Sequence, residues 1–131
     1  MEKEAILLTH ALTKQKATRN GIIVVEKELG QGARVIRRIA QVLDWRVEVF
    51  DAPKVNLNDL EERQSPFYQT IRHAIHSDLS YMLIFQDVSI KAMQDEQFEK
   101  KLTNLAYDLP VLVLLEDVPT RIYGWNICDL R

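Results

Sequence analysis

Acidic residues stand directly after apolar runs at four places in this chain. Glu26-Lys27-Glu28 follow Ile22 to Val25, Asp51 follows Val47 to Phe50, the pair Gln86-Asp87 follows Tyr81 to Phe85, and Glu116-Asp117 follow Val111 to Leu115. Carboxylates gathered at one point suit Mg²⁺, a hard ion that takes oxygen ligands. The competing reading is solvated loop acids, the ordinary setting of Asp and Glu. Two glycines, Gly30 and Gly32, introduce a helical pattern in which Arg34, Arg37 and Arg38 share a polar face and could track a phosphate backbone. His73 and His76 are three residues apart, a spacing that can present two metal ligands, but no third ligand accompanies them and they are read as surface residues. Ser65, Ser77 and Ser89 lack a base and a glycine elbow, so no nucleophile is supported. Cys128 is the one cysteine. It can form no intrachain disulfide or cysteine-rich zinc site, and it is read as a small buried hydrophobe.

The elements that must position these residues follow from periodicity. Ile22 to Val25 is a short apolar run of the type covered on both faces of a sheet. After the glycine turn, Val35, Ile36, Ile39, Val42 and Leu43 fall in one helical stripe. Trp45 to Phe50 alternates, with Val47 and Val49 on one face and Arg46 and Glu48 on the other, as in an edge strand. Residues 51–64 carry Pro53, two Asn and a charge cluster, and read as a long loop with a turn of helix near Leu57 to Glu61. Ser65-Pro66 gives a helix cap and a proline at the first helical position, ahead of the stripe Phe67, Ile71, Ala74 and Ile75. Tyr81 to Phe85 is a second buried strand run. Glu96 to Ala106 is a helix with Phe98, Leu102, Leu105 and Ala106 inward, and Val111 to Leu115 is a further buried strand. Ile122 to Leu130 completes a short fifth strand with no helix before it. Residues 1–20 fit either an N-terminal helical extension carrying Ala5, Leu8 and Leu12, the favoured reading, or a strand at Ile6 to Leu8.

Strands alternating with helices predict the α/β class: a three-layer α/β/α domain with a mainly parallel sheet, flavodoxin-like or Rossmann-like. With 131 residues, one domain over the whole chain is expected, large enough to fold without disulfides or a structural metal. Apolar residues make up 47% and charged residues 27%, which favours neither disorder nor a membrane class. The residues after Met1 are charged, and no secretory signal pattern is present, so a cytoplasmic location is the default expectation. The net charge of −2 gives no general reason to expect nucleic acid as a partner.

With these residues in place, the span from about Ile22 to Val118 resembles a receiver domain of bacterial response regulators. Val24-Val25-Glu26-Lys27-Glu28 is similar to the acidic end of that family's first strand. Leu83-Ile84-Phe85-Gln86-Asp87-Val88-Ser89-Ile90 is similar to the third strand and its loop, which places Asp87 at the phosphoacceptor position. Leu109 to Leu114 is similar to the fourth strand. The departures are as informative as the matches. Lys27 stands where a second metal-binding acid is expected, Leu115 stands at the switch hydroxyl, and no lysine follows a recognisable fifth strand. The resemblance therefore implies a degenerate receiver with a vestigial acidic pocket of Asp87, Glu26 and Glu28, in which Lys27 could pair with Asp87. It implies a non-catalytic regulatory or protein-interaction domain, like those preceding the ATPase modules of some transcriptional activators. No cofactor is implied beyond Mg²⁺.

Two alternatives stand beside it. Gly21 to Ala40 has the strand, glycine turn and helix of a phosphate-binding loop, with Ala33 and Arg34 replacing the lysine and hydroxyl that contact phosphate and Mg²⁺. The strand pattern is also similar to accessory domains at the amino termini of some AAA+ ATPases. Both make the chain a degenerate nucleotide-binding or docking domain. The other alternative is a nucleic-acid-binding module using Arg34, Arg37 and Arg38, against which stands the absence of interleaved aromatics. A protein partner or self-association is expected, with Leu7, Leu8, Leu12, Tyr123 and Trp125 as candidates for the docking surface.

Overall fold

The computed structural model describes residues 2–58, 62–120, 122 and 124–131. Of the loop expectations above, Asp59, Leu60, Glu61 and Tyr123 lie outside the described residues. The chain runs α1 (Glu2–Thr18), β1 (Ile22–Val25), α2 (Gln31–Leu43), β2 (Arg46–Asp51), a 3₁₀ turn (Ala52–Lys54), α3 (Pro66–His76), β3 (Tyr81–Gln86), α4 (Ile90–Met93), α5 (Glu96–Ala106), β4 (Val111–Leu115) and β5 (Asn126–Asp129). The five strands form one all-parallel sheet with helices on both faces, a three-layer α/β/α arrangement of the flavodoxin-like kind.

The strand order is β2-β3-β4-β1-β5. A flavodoxin-like sheet commonly runs 2-1-3-4-5, with the first strand beside the second. Here β1 instead lies between β4 and β5, pairing Ile22 to Val25 with Leu112 to Leu115 on one side and with Asn126 to Asp129 on the other. The order fixes the layers. From β1 the chain crosses to the far edge through α2, and from β2 it returns strand by strand through α3 and α5. Parallel crossovers share one hand, so reversing the direction of travel puts the helix on the opposite face.

The two cores follow that division. On one face α1 and α2 cover Ile22, Val24, Met82, Ile84, Leu112 and Leu114. On the other, α3 and α5 cover Ile23, Val25, Leu83, Phe85, Val111 and Val113. Consecutive residues of β1, β3 and β4 alternate between the two cores, so these runs are apolar throughout. Ser65 caps α3 by accepting from the Tyr68 N–H at 3.0 Å, with Pro66 at the first position. Asp95 caps α5 by accepting from Gln97 and Phe98.

Helix α1 belongs to the folded unit. Leu8 and Ala11 are buried against the α2 side of the sheet, and Gln15 donates to the Ala106 carbonyl at 3.4 Å. Of the expected docking residues, Leu8 is therefore core, Leu12 is half-buried, and Leu7 remains exposed. Trp125 is half-buried and donates its indole N–H to Glu99 at 2.8 Å. The inward stripe expected along α2 ends early: Val35, Ile36 and Ile39 are buried, but Val42 is 81% exposed and Leu43 48%. A helix of 13 residues spans about 20 Å, whereas a four-residue strand such as β1 spans about 13 Å. The last turn of α2 thus leaves two apolar side chains in solvent.

Candidate functional site at the carboxyl ends of β1 and β4

In an open parallel sheet the ligand crevice lies outside the carboxyl ends of two neighbouring strands whose chains leave toward opposite faces. β1 and β4 are that pair. From β1 the chain enters α2 on one face, while after β4 it passes over the other face, where Ile122 and Trp125 pack against the α3 and α5 core. The two ends are joined by the Glu26 N–H donating to the Leu115 carbonyl at 2.9 Å.

Glu26 fills the centre of this crevice. It is one of two buried polar side chains among the described residues, 8% exposed, and its Oε1 accepts from the Gly32 N–H at 2.6 Å. Gly32 lies in the first turn of α2, where N–H groups have no intrahelical partner and the helix dipole favours negative charge. The chain has thus placed its own carboxylate where such a helix would receive an anion. Two glycines make the approach possible. Gly30 precedes the helix at φ 88°, in the left-handed region that glycine enters without strain. A Cβ on Gly32 would stand 2.9 Å from Glu26 Oε1 and 3.0 Å from Leu114 Cδ2. A side chain there would crowd the carboxylate and the Leu114 branch where β1, β4 and α2 meet.

Gln31 locks the loop from outside. Its Oε1 accepts from the Lys27 N–H at 2.7 Å, and its Nε2 donates to Glu4 at 2.9 Å and to the Leu130 carbonyl at 3.3 Å. One side chain therefore ties the turn to α1 and to the end of β5. Beyond it, Arg131 bonds both Asp117 at 3.0 Å and Asp129 at 2.9 Å.

Burial pushes the Glu26 carboxyl above its ordinary pKa of 4.5, and the N–H groups of Gly32, Gly30 and Ala33 together with the Arg34 charge pull it partly back. A raised pKa means that the folded state holds the proton more tightly than the unfolded chain. Stability accordingly falls as pH rises from the ordinary value through the raised one, and is flat above it. Glu26→Gln keeps an oxygen for the Gly32 N–H but cannot ionise. Urea unfolding across this window is expected to show wild type losing stability with rising pH relative to the variant; parallel profiles would assign the pH dependence to other groups.

The acids singled out from the sequence are not brought together. Among the described residues, no three His, Cys, Asp or Glu side chains are grouped to hold a metal ion. Lys27 and Glu28 are exposed, and no Lys27–Asp87 ion pair forms among the described residues. Asp87 is exposed at the end of β3 with φ 56°, a left-handed conformation that Asp tolerates. Strand β4 separates it from Glu26, two strand spacings or about 9–10 Å across the sheet. Asp51 accepts from Gln86 and lies 3.8 Å from Lys54. Arg34, Arg37 and Arg38 are exposed on α2, and His73 and His76 are exposed on α3. Cys128 is buried in β5, and burial pushes its thiol up to about 11.

Sequence reasoning named Glu26 as an acid of an open pocket and missed its bond to Gly32. It also missed Gln31, which lay in view between the two glycines. The signal available was the acid at the end of a buried strand followed by a glycine turn that lacks the phosphate-binding lysine. No protein-family model matches the chain, and no curated protein matches it.

Proposed function

We propose that this chain is a non-catalytic regulatory or protein-interaction domain built on a degenerate nucleotide-binding strand, turn and helix. The observation that carries the reading is the Glu26 carboxylate bonded to the Gly32 N–H at the start of α2. A phosphate entering there would have to displace a tethered anion and would meet Ala33 in place of a lysine. Phosphoryl transfer needs positioned cations around the transferring group, and the turn supplies Lys27 and Arg34, both exposed at its rim and neither in the place of the phosphate-binding lysine. A fold that keeps the turn while closing its anion seat retains its surfaces as the working parts.

The same non-catalytic class follows from the receiver resemblance. That version needs Asp87 beside the acids of β1, however, and the intervening β4 makes the nucleotide-binding version the better supported one. Calorimetric titration with ATP and Mg²⁺ is expected to show no saturable heat at millimolar nucleotide. Saturable binding displaced by pyrophosphate would overturn the reading, because it would mean that the seat opens.

A further inference from the structure

Strand β2 forms an outer edge of the sheet, and the details of that edge specify what can cover it. The Arg46 N–H donates inward to the Ser80 carbonyl at 2.7 Å. Main-chain groups alternate in direction along a strand, so Arg46, Glu48 and Phe50 face β3, while Val47 and Val49 turn their N–H and C=O groups outward. Unpaired outward groups of this kind are a template for another strand. On the α2 side of the sheet, half-buried Trp45, Val47 and Val49 sit at the margin of the core. Next to them along the chain, the last turn of α2 presents Val42 and Leu43 to solvent. On the α3 side lie Arg46 and Glu48, and neither forms an ion pair among the described residues.

We propose that β2 pairs antiparallel with β2 of a second copy of this chain, about a two-fold axis at Val47, to give a dimer with one continuous ten-stranded sheet. The register follows from three independent requirements. A two-fold axis perpendicular to the sheet pairs residues of like face, so the strand numbers of each opposed pair must sum to an even value. Centring on Val47 opposes Val47 to its symmetry mate and Val49 to the second copy's Trp45, which joins the two apolar margins and lets the outward N–H groups of Val47 and Val49 find carbonyls. The same register opposes Arg46 to Glu48 of the second copy, twice, in the non-hydrogen-bonded positions where side chains approach most closely. Moving the axis to Glu48 would oppose two like charges, and moving it to Val49 would oppose Glu48 to Phe50. Only the Val47 register satisfies charge, apolar surface and main chain together, as a self-complementary two-fold contact requires.

Self-association of this type deepens the interaction-domain reading by naming the partner, and it is read out by mass whereas the nucleotide seat is read out by heat, so failure of one is distinguishable from failure of the other. Light scattering on the full chain at about 100 µM, a concentration that populates even a modest complex, is expected to give twice the monomer mass. Arg46→Glu and Glu48→Arg should each give a folded monomer by circular dichroism, and the double variant carrying both changes should restore the dimer. A monomeric wild type would overturn the proposal and leave the edge to a strand from a different protein. A dimer unaffected by either single change would overturn it in favour of another surface.

Discussion

Gly32→Ala is expected to lower the stability of the fold by about 1–3 kcal/mol, the usual cost of forcing a methyl group into a filled space, and Gly32→Val by more. The added carbon would stand 2.9 Å from Glu26 Oε1, 3.0 Å from Leu114 Cδ2 and 3.2 Å from Val24 Cγ1, and two of these three neighbours are aliphatic branches of core strands. The flexible carboxylate is the group that can yield. Its displacement removes the bond to the Gly32 N–H, so the variant should lose the Glu26 contribution to the pH profile along with stability. Urea midpoints from pH 4 to pH 8 check both consequences. A midpoint equal to wild type would show that α2 can move away from β1 and β4 without cost, contrary to the packing described above.

Leu8→Ala is expected to cost about 2–5 kcal/mol, the range for truncating a buried leucine. Leu8 is fully buried among Ala11, Ile36 and the α2 face of the sheet, and the helix that carries it covers β5. Ile6 on the same helix is 65% exposed, and Ile6→Ala should change stability by no more than about 0.5 kcal/mol, as surface substitutions do. The contrast between the two midpoints decides whether α1 is an integral layer or an appendage. Equal small effects would mean that α1 detaches in solution and that β5 and Cys128 are uncovered with it. Helix α1 is also the anchor for Gln31 through Glu4. Loss of α1 docking would therefore loosen the turn around Glu26, and Leu8→Ala and Gly32→Ala should not be additive in stability.

How much of this was legible beforehand depends on whether the information is local. Ile22 to Val25, Tyr81 to Phe85 and Val111 to Leu115 identify themselves as strands because burial on both faces demands apolar side chains at every position. Ser65-Pro66 marks the start of α3 because both residues act on their own backbone. Trp45 to Phe50 reads as an edge because its two faces differ, and β2 is indeed an edge. The full α/β/α layering follows from such segments, since alternating strands and helices admit few other packings. The acids at the strand ends were legible as candidates for the same reason: the sequence shows where each strand stops.

Which strands become neighbours was decided only by the tertiary structure, and the reading of the site depended on it. Nothing local in Ile22 to Val25 distinguishes a place beside β4 and β5 from a place beside β2 and β3, because any parallel neighbour satisfies the same hydrogen bonds and buries the same side chains. Placing β1 next to β4 separated Asp87 from Glu26 and removed the acidic pocket that the strand ends suggested. It also brought Leu114 against Gly32, which leaves no room for a side chain beside Glu26. The order of residues in the turn was sufficient to show that the phosphate-binding lysine's position is filled by Ala33, which has no charge to offer. That the seat is filled by Glu26 depends on a bond between residues six positions apart, across a turn whose shape the packing of α2 sets.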